Sequence, residues 1–126
     1  MTSRMKAKGD RYERDVRMLA RMNGFPGAER TKAGYERDAG DIHLDPRMGL
    51  GPGVIIQCKD VRTPVWTEWI EQLALQQEES KADFSFIALK RSRPGKAPLN
   101  LAVLPFEHML TLLRLAGYGT PLEDQS

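Results

Sequence analysis

Cysteine is almost absent from this 126-residue sequence, and the single Cys58 excludes both an internal disulfide and a zinc site built on several cysteines. No apolar run approaches the ~18 residues of a membrane span. Arginines interrupt the N-terminal segment, which therefore lacks the pattern of a signal peptide. There are no internal repeats and no low-complexity tracts. The length predicts one domain, and these absences predict a reducing cytoplasm and no membrane partner.

A large excess of either charge is also missing, because the formal net charge is only +2. The distribution of charge is more informative than its sum. Residues 1–32 hold nine lysines or arginines against four acidic residues, and a second basic cluster lies within 90–96. Acidic residues concentrate between 36 and 45. Two basic regions around an acidic one are typical of an enzyme that binds a polyanion and holds a cation; three separate solvated surfaces are the alternative.

Apolar periodicity predicts an α/β chain in the order α, β, β, β, α, β, β, α, with helices on both sides of a mixed sheet. The expected helices cover 11–22, 67–80 and 106–116, the last ended by Gly117. The expected strands cover 28–32, 41–45, 54–59, 84–89 and 99–104. A turn at 46–53 makes a hairpin of the second and third strands, and a basic loop with Pro94 and Gly95 follows the fourth. We expect residues 1–7 and 118–126 to be loose.

Strand alternation brings polar side chains together. Gln57 and Lys59 point to one side of their strand, and Asp41 begins the strand that we pair with it. A hairpin in register therefore gathers a carboxylate, an amide oxygen and an ammonium at one edge of the sheet. Asp41, Gln57 and the carbonyl oxygen of Cys58 can bind Mg²⁺. Lys59, with its proton affinity lowered by the metal, can orient or deprotonate the water that hydrolyses a phosphodiester.

This pattern resembles the PD-(D/E)XK nuclease superfamily, whose signature is an aspartate followed by Glu-x-Lys on the next strand. The signature stands here as Gly40-Asp41-Ile42 and Ile56-Gln57-Cys58-Lys59. A helix opening at residues 8–14 and the pair Arg30-Thr31 precede the aspartate strand. That order is similar to archaeal-type and bacteriophage Holliday-junction resolvases, and the resemblance spans about residues 6–104.

The resemblance implies a restriction-endonuclease-like fold and a Mg²⁺-dependent DNA endonuclease for which Mn²⁺ substitutes. It implies cleavage of four-way junctions or other branched DNA in recombination, inside a bacterial or archaeal cell or a phage-infected host. It implies a homodimer, and it adds Glu13 to the catalytic and metal-binding residues. The dimer surface stays unassigned, with the last helix as one suggestion. The residues expected to contact DNA are Lys8, Arg11, Arg30, Thr31, Lys32, Arg91, Arg93 and Lys96.

Gln57 departs from the family pattern, which has glutamate at this position. The change removes one negative charge, and an amide oxygen binds Mg²⁺ less strongly than a carboxylate does. Glu13 or Asp38 can compensate for that charge, or activity can be lost. Two alternative functions follow: a restriction- or repair-type nuclease, and an inactive DNA-binding accessory protein with a nuclease-like fold.

The proposed site residues also have ordinary structural explanations. Asp10 and Glu13 have the spacing of a capping box at a helix start. Asp41 suits a turn at a strand end, and Lys59 suits an exposed sheet edge. His43 shares a face with Asp41, but a lone strand histidine is more often half-exposed surface.

Later residues carry the same ambiguity. Trp66 and Trp69 can stack on unpaired bases, but their helical spacing favours a place in the core. His108 lies in the last helix and has a structural explanation. The loop that carries Arg91, Arg93 and Lys96 can contact phosphates, and a solvated loop is the alternative.

Overall fold

The computed structural model describes residues 3–30, 42–45 and 53–121, except for the side chain of Met5. The described elements follow the order expected from the sequence, which confirms the α/β class. They are α1 (Ser3–Met22), β1 (Glu29–Arg30), β2 (Ile42–His43), β3 (Val54–Lys59), α2 (Trp66–Ser80), β4 (Phe84–Arg93), β5 (Lys96–Val103) and α3 (Phe106–Leu115).

The strands form one mixed sheet in the order β1-β2-β3-β4-β5. The expected hairpin of β2 and β3 is confirmed, because Ile42 lies opposite Ile56 in an antiparallel register. β3 and β4 run parallel and are joined by α2. β1 pairs antiparallel with β2, and β5 with β4. Thr31, Lys32 and all but the last residue of the turn expected at 46–53 lie outside the described residues.

Side chains on the two faces of the sheet build two separate cores. Alternate residues of a strand point to opposite faces, so Ala88 packs toward α1 whereas Ile87 and Leu89 pack toward α2. The α1 side joins Tyr12, Val16, Ala28, Ile42, Leu44, Ile56 and Ala88. The α2 side joins Trp69, Leu73, Ile87 and Leu89. Helices α1 and α2 therefore cover opposite faces, as the sequence predicts.

Helix α1 is longer than expected. It begins at Ser3 rather than near Arg11, so the prediction that residues 1–7 are loose is wrong for 3–7. Gly9 lies inside the helix and does not start it; its neighbours include lysine, methionine and alanine, which favour helix. Among the described residues, no helix is both long and apolar enough to cross a membrane.

The prediction of a basic loop after the fourth strand is also wrong. β4 continues to Arg93 and β5 begins at Lys96, so only Pro94 and Gly95 separate the two strands. Gly95 has a φ of +68°, and proline followed by a glycine with positive φ is the signature of a tight type II turn. Lys90, Arg91 and Arg93 therefore extend from a strand, in positions set by the sheet.

Helix α3 ends as expected but packs less than expected. It stops at Leu115, and Gly117 follows with a φ of +105°, a conformation that favours glycine. No residue of α3 is buried. Phe106, on the apolar side of the helix, keeps 70% of its surface exposed. Tyr118, expected in a loose tail, donates its backbone N–H to the Leu113 carbonyl over 3.0 Å.

Candidate functional site

Strand β3 presents Gln57 and Lys59 together, as predicted from alternation. The side chains of Ile56 and Cys58 belong to the core on the α1 side, so Gln57 and Lys59 face α2. Helix α2 confirms this placement, because it contacts both polar side chains through residues of its inner face. The structure therefore sets an amide and an ammonium side by side under one helix.

Gln57 is the most informative residue of the site. Only 4% of its surface is exposed, and its Nε2 donates a hydrogen bond to Oε1 of Gln76 in α2. Its own Oε1 is buried and has no hydrogen-bond partner among the described residues. Leaving a buried acceptor unsatisfied costs about 1–3 kcal/mol. An oxygen kept in this state is well suited to a ligand that accepts its lone pair, such as a hard divalent cation.

Lys59 is held beside Gln57 by an aromatic contact. Its Nζ lies 5.3 Å from the centre of the Trp69 ring, a favourable position for an ammonium over an aromatic face. β3 is the central strand of the sheet. The interpretation of Lys59 as a guard on an exposed sheet edge is therefore wrong.

Asp41 itself lies outside the described residues. Its covalent neighbour Ile42 pairs with Ile56, the residue before Gln57. His43 lies opposite Ile55 and so shares the face of Gln57. With only 3% of its surface exposed, His43 is buried, and the expectation of a half-exposed surface residue is wrong.

Glu13 is tied to strand β1. One of its carboxylate oxygens lies 2.8 Å from Nη2 of Arg30, and Arg30 also lies 3.4 Å from Asp10. The capping-box explanation of Glu13 is wrong, because the helix begins at Ser3 and Asp10 is not at its start. The ligand role of Glu13 and the DNA contact of Arg30 stay predictions, and the structure adds that these two residues form an ion pair.

Cys58 has a different place from its two neighbours on β3. Its side chain is partly buried on the α1 side, in the core that contains Tyr12. Burial, aided by Cys58 and by nearby Asp60 and Asp15, raises the pKa of the Tyr12 hydroxyl. The protonated hydroxyl donates to Oδ1 of Asn100 over 3.0 Å. Only the backbone carbonyl of Cys58 is expected at the metal, and that role stays a prediction.

The two basic regions of the sequence meet in one groove, which we call the basic groove. It consists of two adjoining cavities of about 360 and 540 Å³. Its charged lining comprises Lys8, Arg11, Arg14, Asp15, Asp60, Arg62, Lys90, Arg91 and Arg93. The groove crosses the carboxyl ends of the parallel strands β3 and β4, the end at which open α/β sheets bind ligands.

The basic groove reaches the candidate site through Asp60, the residue that follows Lys59. Asp60 lies 3.6 Å from Nζ of Lys8, and the Arg62 carbonyl accepts a hydrogen bond from Arg91. Lys8, Arg11, Arg91 and Arg93, predicted to contact DNA, thus share one surface. Lys96 is exposed but does not line either cavity.

Sequence reasoning missed several members of this arrangement. Arg62 lies in the loop after β3, where no periodicity marks it. Gln76 follows Leu73 by one helical turn and Trp69 by two on the inner face of α2, and that spacing is the signal that could have found it. The sequence marks Lys90 as basic but not as part of a site, because its direction is defined only once β4 extends to Arg93.

The described residues contain no group of three or more histidine, cysteine, aspartate or glutamate side chains able to hold a metal ion. Within them, the buried amide oxygen of Gln57 is the feature that fits a cation, and a complete site requires further oxygen ligands from residues such as Asp41. No protein-family model, curated protein or solved structure matches the chain.

Proposed function

We propose that this chain is a Mg²⁺-dependent DNA endonuclease with a restriction-endonuclease-like fold, for which Mn²⁺ substitutes. The observation that supports this most is the buried, unpartnered oxygen of Gln57, placed beside Lys59. The strand that carries both pairs with the segment that follows Asp41. The element order and the parallel β3–α2–β4 unit agree with the PD-(D/E)XK resemblance.

In the proposed reaction each residue has a separate role. Asp41, Gln57, Glu13 and the Cys58 carbonyl would hold the cation, with Glu13 on the α1 side of the sheet and Gln57 on the α2 side. The cation would neutralise charge on the phosphate and make water a better nucleophile. Lys59 accepts a proton from the attacking water or donates hydrogen bonds to the charge that develops on the phosphate. The Trp69 ring keeps the Lys59 ammonium on the side of Gln57.

The DNA backbone lies in the basic groove in this proposal. The groove brings Lys8 and Arg11 from α1 together with Arg91 and Arg93 from β4. Such contacts position a polyanion and release counterions, but they do not read sequence. The proposed contact surface also includes Arg30, Thr31, Lys32 and Lys96.

The preferred substrate in this proposal is branched DNA, and the four-way junction is the branched DNA to test first. The test incubates the purified chain with labelled junctions and with linear duplex of the same sequence, with and without Mg²⁺. We expect cleavage only with the cation, and junctions cut at least ~10-fold faster, equivalent to ~1.4 kcal/mol. Equal cleavage of both substrates would contradict the resolvase proposal. It would be consistent with a nuclease of another kind, such as a restriction- or repair-type enzyme.

A DNA-binding accessory protein is the second candidate. The observation in its favour is that the described residues hold no acidic metal cluster and that Gln57 replaces a charged ligand. Calorimetric titration with Mg²⁺ and Mn²⁺ separates the candidates, because an accessory protein with a decayed site binds DNA but takes up no cation.

Helix α3 supports the proposed homodimer. A ten-residue helix is marginal in water unless its apolar face packs, and α3 has no buried residue. Its exposed apolar residues are Phe106, Met109, Leu110, Leu113 and Leu115. Glu107 lies in the first turn and Arg114 in the last. Antiparallel packing of two copies around a two-fold axis therefore brings opposite charges together.

Replacing Leu110 by glutamate should convert the dimer to a monomer. The side chain is 44% exposed in the single chain, so the change disturbs the interface more than the fold. We expect the dimer dissociation constant to rise ~100-fold or more, equivalent to ~2.7 kcal/mol, as measured by sedimentation velocity. Thr111→Glu, on the exposed side of the same helix, is the matched control. A wild-type chain that is monomeric at micromolar concentration would contradict the dimer.

A further inference from the structure

The two tryptophans of α2 have different environments. Trp69 is buried, with 6% of its surface exposed, whereas Trp66 keeps 44% exposed. Their rings meet edge to face, with centroids 5.5 Å apart and planes at 83°. Such a contact is favourable for aromatic pairs. Trp66 is thus an exposed indole supported by a ring that is fixed in the core.

Trp66 lies close to the candidate catalytic lysine. The Trp69 ring bridges the two, with its centre 5.3 Å from Nζ of Lys59 and 5.5 Å from the centre of Trp66. Each successive base along a DNA strand adds about 3.4 Å. The exposed indole is therefore within a few nucleotides of a phosphate that Lys59 can reach.

The surroundings of Trp66 identify the kind of ligand. Val65 is exposed beside it, and exposed Val61 lines the basic groove. The larger cavity of that groove is lined by five basic side chains and one acidic side chain, that of Asp60. A cationic groove that includes Asp60, the residue after Lys59, together with an exposed aromatic ring close to Lys59 is the kind of arrangement by which proteins bind single-stranded nucleic acids. An apolar protein partner would not require the positive lining.

We infer that Trp66 stacks on an unpaired base while the basic groove holds the adjoining backbone. Bases within a duplex are stacked on both faces and cannot cover the indole, whereas bases of a flap, a gap or an open branch point can. This inference rests on the proposed nuclease function, in which DNA is cut next to Lys59. It narrows the substrate class to DNA with unpaired nucleotides beside the cut.

The test measures binding without catalysis. Fluorescence anisotropy in EDTA follows a labelled single-stranded oligonucleotide and a duplex of equal length as each binds the full chain, its Trp66→Ala variant and its Trp66→Phe variant. Stacking is worth ~1–3 kcal/mol per base, or ~5- to 150-fold. We expect Trp66→Ala to weaken single-strand binding by this factor, to leave duplex binding unchanged, and Trp66→Phe to retain most of the affinity.

A second readout separates stacking from a structural effect. Intrinsic tryptophan fluorescence of the wild-type chain should be quenched by the single strand, and the quenching should disappear in Trp66→Phe although Trp69 remains. Equal weakening for both ligands, or no weakening in Trp66→Ala, would overturn the inference. The binding assay contains EDTA and therefore does not depend on catalysis. If the chain cleaves no DNA, only the nuclease proposal is contradicted. If the chain cleaves DNA with metal but Trp66→Ala binds single strands as well as the wild type, only the stacking role is contradicted.

Discussion

Replacing Lys59 by alanine should lower the rate of metal-dependent DNA cleavage by about 10²- to 10⁴-fold, the range for loss of a positioned proton-transfer group. The ammonium is held over Trp69 on the face of Gln57, and its replacement removes the group proposed to orient or deprotonate the attacking water. DNA affinity should change little, because the groove retains its other cations. Single-turnover cleavage at saturating DNA measures the rate, and anisotropy measures the affinity.

The matched control for this prediction is Lys90→Ala, which removes a lysine from the basic groove instead. It should weaken binding and leave the single-turnover rate at saturation nearly unchanged, since a phosphate contact serves the bound and the reacting states alike. Lys59→Arg keeps the positive charge but cannot lose a proton, so its residual rate measures the electrostatic part. A Lys59→Ala variant that cleaves at the wild-type rate would exclude Lys59 from the reaction.

Asp41 provides an independent check on the same step. Asp41→Asn should lose activity to a similar degree, and the double variant should lose little more than either single one, because residues that act as a unit are not additive. Full additivity would mean that Asp41 and Lys59 act in separate processes.

The placement of Gln57 and Lys59 on one face was predictable because it needs only the two-residue period of a strand. Apolar alternation in 54–59 defines the face, and the structure confirms it with α2 packed over Gln57. The hairpin partner was predictable for a similar reason, since a turn-rich segment separates two apolar runs. Local rules of this kind operate within a few residues and do not depend on the rest of the fold.

The basic groove was not predictable in the same way. Lys8 and Lys90 meet only because α1 crosses the sheet near the carboxyl end of β3 and because β4 continues beyond Leu89. Polar residues at 90–93 weaken the strand pattern, and Pro94-Gly95 suits a long loop as well as a tight turn. The pairing of Arg93 with Lys96 decides between them, and that pairing is a property of the folded hairpin.

The degree to which a side chain is buried also could not be predicted from the sequence. Helical spacing puts Trp66 and Trp69 on related faces of α2, but only Trp69 lies over the sheet, next to Ile87 and Leu89. The first turn of α2 extends past this core. Likewise, alternation gives the face of His43 but not the cover that buries it. The periodicity of a helix or strand defines the face to which a side chain points, whereas its exposed fraction depends on which other elements pack against that face.

The Gln57→Glu substitution should make the stability of the protein strongly dependent on metal. Without metal, the change buries a carboxylate and removes the donor to Gln76, so the free energy of unfolding should fall by about 1–3 kcal/mol. With Mg²⁺, a carboxylate binds the cation better than an amide oxygen does, and binding to the folded state alone raises stability. Thermal unfolding in EDTA and across a Mg²⁺ titration measures both effects.

Gln72→Glu introduces the same charge at an exposed position of α2, where Gln72 bonds to Glu68, and should leave the Mg²⁺ dependence unchanged. If Mg²⁺ stabilises Gln57→Glu no more than the wild type, the buried oxygen of Gln57 is not a metal ligand. If Mg²⁺ stabilises the variant but not the wild type, position 57 still faces a metal site, and glutamine at this position prevents metal binding. Stabilisation of both, with tighter binding in the variant, is the result expected of an active nuclease whose metal affinity is reduced by one missing charge.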